Sequence, residues 1–355
     1  MLANNPAPLA PPFICPLCQS PLQLTAKTWQ CDGSQNPKLT ADGTPKQHNF
    51  DVARQGYVNL LPVQQKKSKV PGDSEDSINA RQRFLAAGHY DNLQSLICEQ
   101  VAQLSDVKLS KATASDDNQS SEAVKGKEVN NKFKNWLDIG CGEGYYTLAM
   151  TQKAAIDNMI AVDISKPAVM TLAKAGKASD QLWCQAFNKE ASAKNATDGA
   201  DSREEGGSHT SVIYPLVASA VNLPIEPESV DGISSIFSPI LPEVFASTLK
   251  SEGWLVIAKP DVGHLESVRE ALFDSVREHD SDKFLHQLEP YFVQHEVHYC
   301  QQPLSLNRQA LEDLLTMTPY AYRAQPAKRE TLLASTNDAD FTTEARFVVY
   351  ILRKR

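Results

Sequence analysis

Residues 135–147 read NWLDIGCGEGYYT, an apolar run followed at once by glycines at 140, 142 and 144. Glycine gives up the most chain entropy on folding, so three at alternate positions need a physical reason. Either the backbone turns through conformations other residues avoid, or something packs where a Cβ would stand. The apolar run reads as a buried strand, and "YYTLAMTQKA" after the glycines reads as a helix. The same grammar continues downstream. "MIAVDIS", "VIYPLVAS", "SVDGISSIF" and "GWLVIAK" read as strands, with "KPAVMTLAKAGK" and "LPEVFASTLKS" as helices between them. Strand and helix alternating at this interval predict right-handed βαβ units and a parallel sheet covered on both faces. After a helix near 264–278 the rhythm breaks. "YFVQHEVHYC" and "ARFVVYILRKR" are strand-like and suit an antiparallel edge.

In an open α/β sheet ligands bind beyond the carboxyl ends of the strands, which places the glycine loop at the binding site. A dinucleotide fingerprint needs G-x-G-x-x-G, and Tyr145 stands where its last glycine belongs. S-adenosylmethionine, an aminoacyl-nucleoside without phosphate, fits better. It needs a carboxylate near its amino end, from Asp138 or Glu143, and a second acid on the ribose hydroxyls. Asp163 closes the second strand, 19 residues beyond Gly144, placed to accept both hydroxyls. With Gly140, Gly142 and Gly144, this D-x-G-x-G-x-G and its downstream acid resemble motif I of class I methyltransferases. Residues 222–235, NLPIEPESVDGISS, resemble the segment those enzymes set beside the adenine. "LKSEGWLVIAK" resembles the turn into their fifth strand. Cys141 is small and is expected only to pack.

The N-terminal quarter carries different chemistry. Cys15 and Cys18 form C-x-x-C, Cys31 follows after twelve residues and His48 after sixteen more. Three thiolates and an imidazole are a recognised structural zinc set, closed to water. Asp32 is an alternative fourth ligand, but a His held by the following "NFD" strand is preferred. A redox C-x-x-C would belong in a thioredoxin-type βα unit, which is missing here. A segment of this size has little core of its own, and zinc binding supplies on the order of 10–16 kcal/mol.

Over 355 residues the chain is 41% hydrophobic with mean hydropathy −0.37, the profile of a soluble globular protein. No apolar run approaches the roughly 20 residues of a membrane span. "MLANNPAPLAPPF" lacks the basic and apolar regions of a signal peptide, so the cytoplasm is the expected compartment. Seven cysteines, an odd number spread unevenly, suit metal ligands and isolated thiols there. Net charge is −8, yet residues 1–72 hold seven Lys and Arg against three Asp and no Glu. That local basic excess permits RNA contact without requiring it. Residues 110–132 and 188–210 are polar and poor in large apolar side chains, and read as disordered surface insertions.

Past His48 runs "NFDVARQGYVNLLPVQQKKSKVPGDS", then "ARQRFLAAGHYDNL". Together with "CPLC", "LDIGCGEGYYT" and "LLTMTPYAYRA", in this order, the chain resembles the bacterial 23S rRNA (guanine-N1-)-methyltransferases of the RlmA type. The likeness spans nearly everything outside the two polar insertions, although the Cys31–His48 spacing is longer than in that family. It implies a class I, Rossmann-like α/β methyltransferase fold preceded by a zinc ribbon that contacts rRNA. It further implies a homodimer whose paired cleft accepts an RNA hairpin. By motif match Tyr90, Gly142, Glu143, Asp163 and His264 are the expected cofactor contacts. The expected division is a zinc-ribbon module at 1–60, a helical connector at 61–109 and the methyltransferase domain at 133–355.

Methylating guanine N1 requires an exposed Watson–Crick edge, which suits a looped or flipped base held between aromatics. The base site should lie after the fourth strand, in "SIFSPILPEV". Phe237 is expected to stack on the base and Glu243 to take the N1 proton. The phosphate grip is expected from "QQKKSK" (64–69), Arg54, Arg81 and Arg83. Two rivals remain. A quinone-type small-molecule enzyme would share the glycine loop but has no need of a zinc ribbon. A non-catalytic RNA-binding factor would let the loop decay, yet the loop and Asp163 are intact.

Overall fold

In the computed structural model the apolar runs pair into one sheet. Residues 11–65, 68, 71–114, 133–185, 211–274, 284–336 and 339–355 are described. The expected insertion at 188–210, most of that at 110–132, and Lys66, Lys67 and Lys69 lie outside the described residues.

The centre of the sheet is β5 (Phe133–Ile139), flanked by β6 (Ile156–Asp163) and β8 (Val230–Ile236). Beyond them lie β7 (Val212–Val217) and β9 (Leu249–Pro260), and all these neighbours run parallel. The chain reverses only at the far edge, where β11 (Phe341–Lys354) runs antiparallel between β9 and β10 (Phe292–Leu306). This is the antiparallel edge expected from the two tail segments. Successive strand residues face opposite ways, and the core divides accordingly. Trp136, Met159, Val256 and Phe347 face one layer. Leu137, Ile160, Leu255 and Val348 face the other.

Helices α1 (Glu75–Ala86) and α2 (Asp91–Ala114) follow, and α2 runs past residue 109 into the segment expected to be an insertion. Helix α3 (Tyr145–Lys153) follows the glycine loop and α4 (Lys166–Ala178) follows β6, with Ser165 capping it through Ala168 N–H. Helix α5 (Pro242–Thr248) is shorter than the expected "LPEVFASTLKS". Its run ends because Leu249 is fully buried and already paired with Val230 as the start of β9. Helices α6 (Glu266–Leu272) and α7 (Arg308–Met317) complete the layer around β11 and α1.

The N-terminal cysteine segment folds as a three-stranded antiparallel sheet of β1 (Leu22–Leu24), β2 (Thr28–Cys31) and β3 (Asn49–Asp51). It is not set apart from the main sheet. Strand β4 (Val58–Asn59) adds to the large sheet, parallel to β7. Fully buried Trp29 packs 4.8 Å from Phe13 and 5.1 Å from Trp183, ring centre to ring centre. Phe13 forms an antiparallel bridge with Ile225, and Ile14 N–H donates to Pro224 O at 3.1 Å. Thus the 222–235 segment, expected beside an adenine, also seats the N-terminal module. No helix among the described residues is long and apolar enough to cross a membrane.

Candidate active site and metal centre

The glycine loop sits at the carboxyl end of β5. All three glycines are left-handed, with φ of +72° at Gly140, +56° at Gly142 and +90° at Gly144. Neighbouring protein atoms also require them. A Cβ on Gly140 would stand 2.6 Å from Ser238 Cβ, and one on Gly144 would stand 2.3 Å from Leu172 Cδ1. The loop closes because Gly140 and Cys141 N–H donate to Val162 O, at 2.8 and 3.1 Å. Gly142 N–H donates to Asp163 Oδ2 at 3.0 Å.

The acids of this region divide their work. Asp138 was expected within reach of a ligand's amino end, but it is 2% exposed. It accepts from Thr147 Oγ1 at 2.6 Å and from Ser234 Oγ at 2.7 Å, bracing β5, α3 and β8 from beneath the loop. Burial pushes its carboxyl up to about 6, against the lowering effect of those two hydroxyls. Asp163 accepts Gly142 N–H on one oxygen and Ser165 N–H, at 2.7 Å, on the other. Burial raises its pKa as well, opposed by those two backbone donors. A carboxylate offers about four acceptor positions, so two remain for an outside donor. Glu143 is nearly buried and takes Arg81 Nε at 2.7 Å, while Arg81 Nη1 reaches Asp73 Oδ2 at 2.7 Å.

Three residues singled out far apart in the sequence gather at the same end of the sheet. Phe347, opposite Pro260 on β9, is the hub. Its ring centre lies 4.8 Å from Tyr90, 4.8 Å from His264 and 5.5 Å from Phe237. Tyr90 is buried and His264 is 8% exposed, its Nδ1 against the Arg346 backbone. Phe237 is different: it follows β8 with φ +54° and its side chain is 43% exposed. An aromatic held in a left-handed conformation at a strand end carries local strain of the kind that collects at ligand sites. Tyr146 packs 6.3 Å from Phe237, and its buried hydroxyl has no partner among the described residues. Sequence reasoning passed over Tyr146 and Phe347. Tyr146 was within reach of it, being the second aromatic after the loop. Phe347 was not, because only the antiparallel return of β11 brings it there.

Glu243 lies in the first turn of α5 and is exposed. Of the arginines expected to grip phosphate, Arg54 is exposed on the N-terminal module. Arg81 and Arg83 are committed to carboxylates, Arg81 as above and Arg83 to Asp313. That expectation missed partners distant in sequence.

Cys15, Cys18, Cys31 and His48 bring one ligand atom each to within 4.8 Å of one another. Cys15 Sγ and Cys31 Sγ stand 3.5 and 3.6 Å from His48 Nδ1, and Cys18 Sγ stands 3.7 Å from Cys31 Sγ. A tetrahedral zinc with Zn–S near 2.3 Å and Zn–N near 2.0 Å has edges of roughly 3.5–3.8 Å. The donor set fits that ion. His48 N–H also points at Cys31 Sγ, 3.1 Å away, a donor suited to a thiolate. Burial, aided by Lys46 and Lys38, lowers the His48 pKa and favours the neutral imidazole a metal needs.

Comparison with known proteins agrees with this layout. Residues 40–69 match the family described as "RlmA, N-terminal", a zinc ribbon, and residues 137–239 match a methyltransferase domain. The chain is 24% identical over 318 residues to the 23S rRNA (guanine(748)-N(1))-methyltransferase of Streptomyces fradiae, covering 88% of this chain and 86% of that protein. A Micromonospora griseorubida protein is 24% identical and YxjB of Bacillus subtilis 27% identical. Each comparison covers 95% of this chain and 96% of the relative, and both relatives bear a 23S rRNA (guanine-N(1)-)-methyltransferase name in provisional form.

Proposed function

We propose that this chain, which carries an RlmA-type zinc ribbon and a class I methyltransferase domain, methylates N1 of a guanine in 23S rRNA. One juxtaposition carries the reading. A glycine loop and strand-end acid of methyltransferase type stand in one chain with a Cys₃His cluster, and relatives aligned over most of its length are named as 23S rRNA methyltransferases. A small-molecule enzyme has no use for such a cluster.

The residues present suit S-adenosylmethionine. Asp163 retains acceptor positions for ribose hydroxyls, and the buried Tyr146 hydroxyl awaits a partner. Bound there, the cofactor supplies an electrophilic methyl on a sulfonium. Gly140, Gly142, Glu143 and Gly144 would line its amino-acid end, with Tyr90 and His264 at the aromatic wall. Zinc at Cys15, Cys18, Cys31 and His48 would have every position filled by protein, leaving it a structural role.

The chemistry left to the protein is alignment and one proton. Guanine N1 is nucleophilic only once its proton has gone. Phe237 offers an exposed ring on which the flipped base stacks, and Glu243 lies on the helix that follows, available to receive the proton. Holding N1 in line supplies most of the acceleration, and a general base contributes roughly 10²–10⁴-fold. We place the enzyme in the cytoplasm as a homodimer whose paired cleft takes the RNA hairpin, with exposed Arg54 toward phosphate.

The test is incubation of the purified chain and S-adenosylmethionine with unmodified 23S rRNA, followed by mapping of reverse-transcriptase stops. N1-methylguanine blocks pairing, so a cofactor-dependent stop at one guanine is expected. Cofactor binding without any new stop would remove guanine N1 as the target.

A further inference from the structure

The segment leading into α1 lies across both loops of the cofactor crevice. Gly72 (φ +84°) presses on Ser165: a Cβ there would be 2.8 Å from Ser165 Cβ. Ser165 Oγ donates to Asp73 O at 2.9 Å, while Ser165 N–H holds Asp163. One residue then ties this segment to the other loop. Arg81, in α1, sends Nη1 to Asp73 and Nε to Glu143, both at 2.7 Å. Its Nη2 lies 3.0 Å from where a Gly142 Cβ would be, so the guanidinium lies against the glycine loop itself. The Arg81 side chain is 23% exposed and that of Glu143 is 6%.

We propose that Arg81 is a positioning residue for the cofactor: its guanidinium clasps residues 72–74 to the glycine loop and fixes Gly142 and Glu143 in their binding arrangement. This rests on the methyltransferase reading and replaces the phosphate contact expected of Arg81. The planar fork of arginine sets Nε on one carboxylate and Nη1 on another in a fixed geometry, which the single, freely rotating ammonium of lysine does not reproduce. Removing the guanidinium strands a buried Glu143 charge and frees the 72–74 segment, so the loop loses its outer wall. The effect belongs to cofactor affinity and not to RNA affinity.

The full-length, zinc-loaded protein and its variants Arg81→Met, Arg81→Lys and Asp73→Ala test this. S-adenosylmethionine binding is measured by calorimetry, and amide hydrogen exchange is followed over residues 71–81. Arg81→Met is expected to weaken cofactor binding by about tenfold or more, with Arg81→Lys restoring little. KM for the cofactor should rise while kcat at saturating cofactor and KM for rRNA stay within about twofold. Cofactor-induced protection of residues 71–81 is expected in the wild type and should vanish in Arg81→Met. An Arg81→Met protein that melts normally and binds within twofold of wild type would overturn the clasp. Should Arg81→Met not fold, Asp73→Ala decides, because it cuts the tie to the 72–74 segment at a half-exposed carboxylate outside the cofactor contacts and leaves Glu143 paired with Arg81. Unchanged affinity and protection in that variant overturn the clasp equally. A wild type that binds no cofactor would instead sink the methyltransferase reading, and this proposal with it.

Discussion

Arg83 and Asp313 lie 230 positions apart and meet in a two-point ion pair, Nε to Oδ2 at 3.1 Å and Nη2 to Oδ1 at 2.5 Å, that joins α1 to α7. The Asp313 side chain is 4% exposed and that of Arg83 is 56% exposed, so the pair is asymmetric. Solvent screens the arginine, and most of the energetic consequence falls on the buried acid. Arg83→Met leaves Asp313 with Gln309 Nε2, at 3.1 Å, as its side-chain donor among the described residues. Unfolding in urea should show a loss of about 1–2 kcal/mol, the low end for an under-satisfied buried acceptor. Affinity for rRNA should barely change. A large drop in affinity with stability intact would return Arg83 to the phosphate grip.

Metal removal has an optical signature. Trp29 is fully buried next to Phe13 and Trp183, on the strand that ends in Cys31. Chelation, or Cys31→Ser, should release zinc and shift tryptophan emission to the red as the three-stranded sheet loosens. Metal analysis before and after should give one zinc per chain falling to none. An unshifted spectrum after complete metal loss would show that the module holds without its ion.

Asp138 makes a pH prediction with an unusual sign. Burial holds its carboxyl at about 6, above an ordinary 3.8, so the folded chain keeps a proton that the unfolded chain has released. Its contribution is complete below about pH 3.8 and declines as pH rises to about 6, by about 3 kcal/mol in all. Asp138→Asn carries no such titration. The stability difference, variant minus wild type, should climb between about pH 4 and 6 and then level off. A difference flat with pH would mean that the carboxyl titrates normally.

Glu243 is exposed in the first turn of α5, where an acid also suits the helix dipole. The two roles separate in one variant. Glu243→Gln should lower turnover by roughly 10²-fold or more with cofactor affinity unchanged if it receives the N1 proton. A full-rate variant would leave it only as a helix-terminal charge.

What the sequence carried, and what it did not, follows from the range of the interactions. The β5–loop–α3 unit, the acid ending β6 and the Cys–His set are local patterns, and each is legible from spacing alone. The fate of Arg81, Arg83 and Asp138 is not. Arg81 and Arg83 read as free cations because their partners, Glu143 and Asp313, arrive 62 and 230 residues later. Asp138 read as a ligand acid because its place in the motif does not reveal Thr147 and Ser234 closing over it. For the loop glycines both alternatives hold, a left-handed backbone and a neighbour where a Cβ would stand. At Gly140 and Gly144 the close neighbours are Ser238 and Leu172, side chains that only the folded crossovers deliver.

The pairing of β4 with β7 also bears on synthesis. Val58 sits opposite Leu216, so the N-terminal segment leaves the ribosome long before the strand that receives it exists. Throughout that interval the Trp29 and Phe13 rings have neither Trp183 nor Tyr214 to pack against, whereas the cysteine cluster draws all its ligands from the emerging segment itself. Metal capture is therefore placed to come first, and docking onto the sheet second. A cell short of zinc would then meet this protein's difficulty during translation, with an unclaimed aromatic surface on each nascent chain.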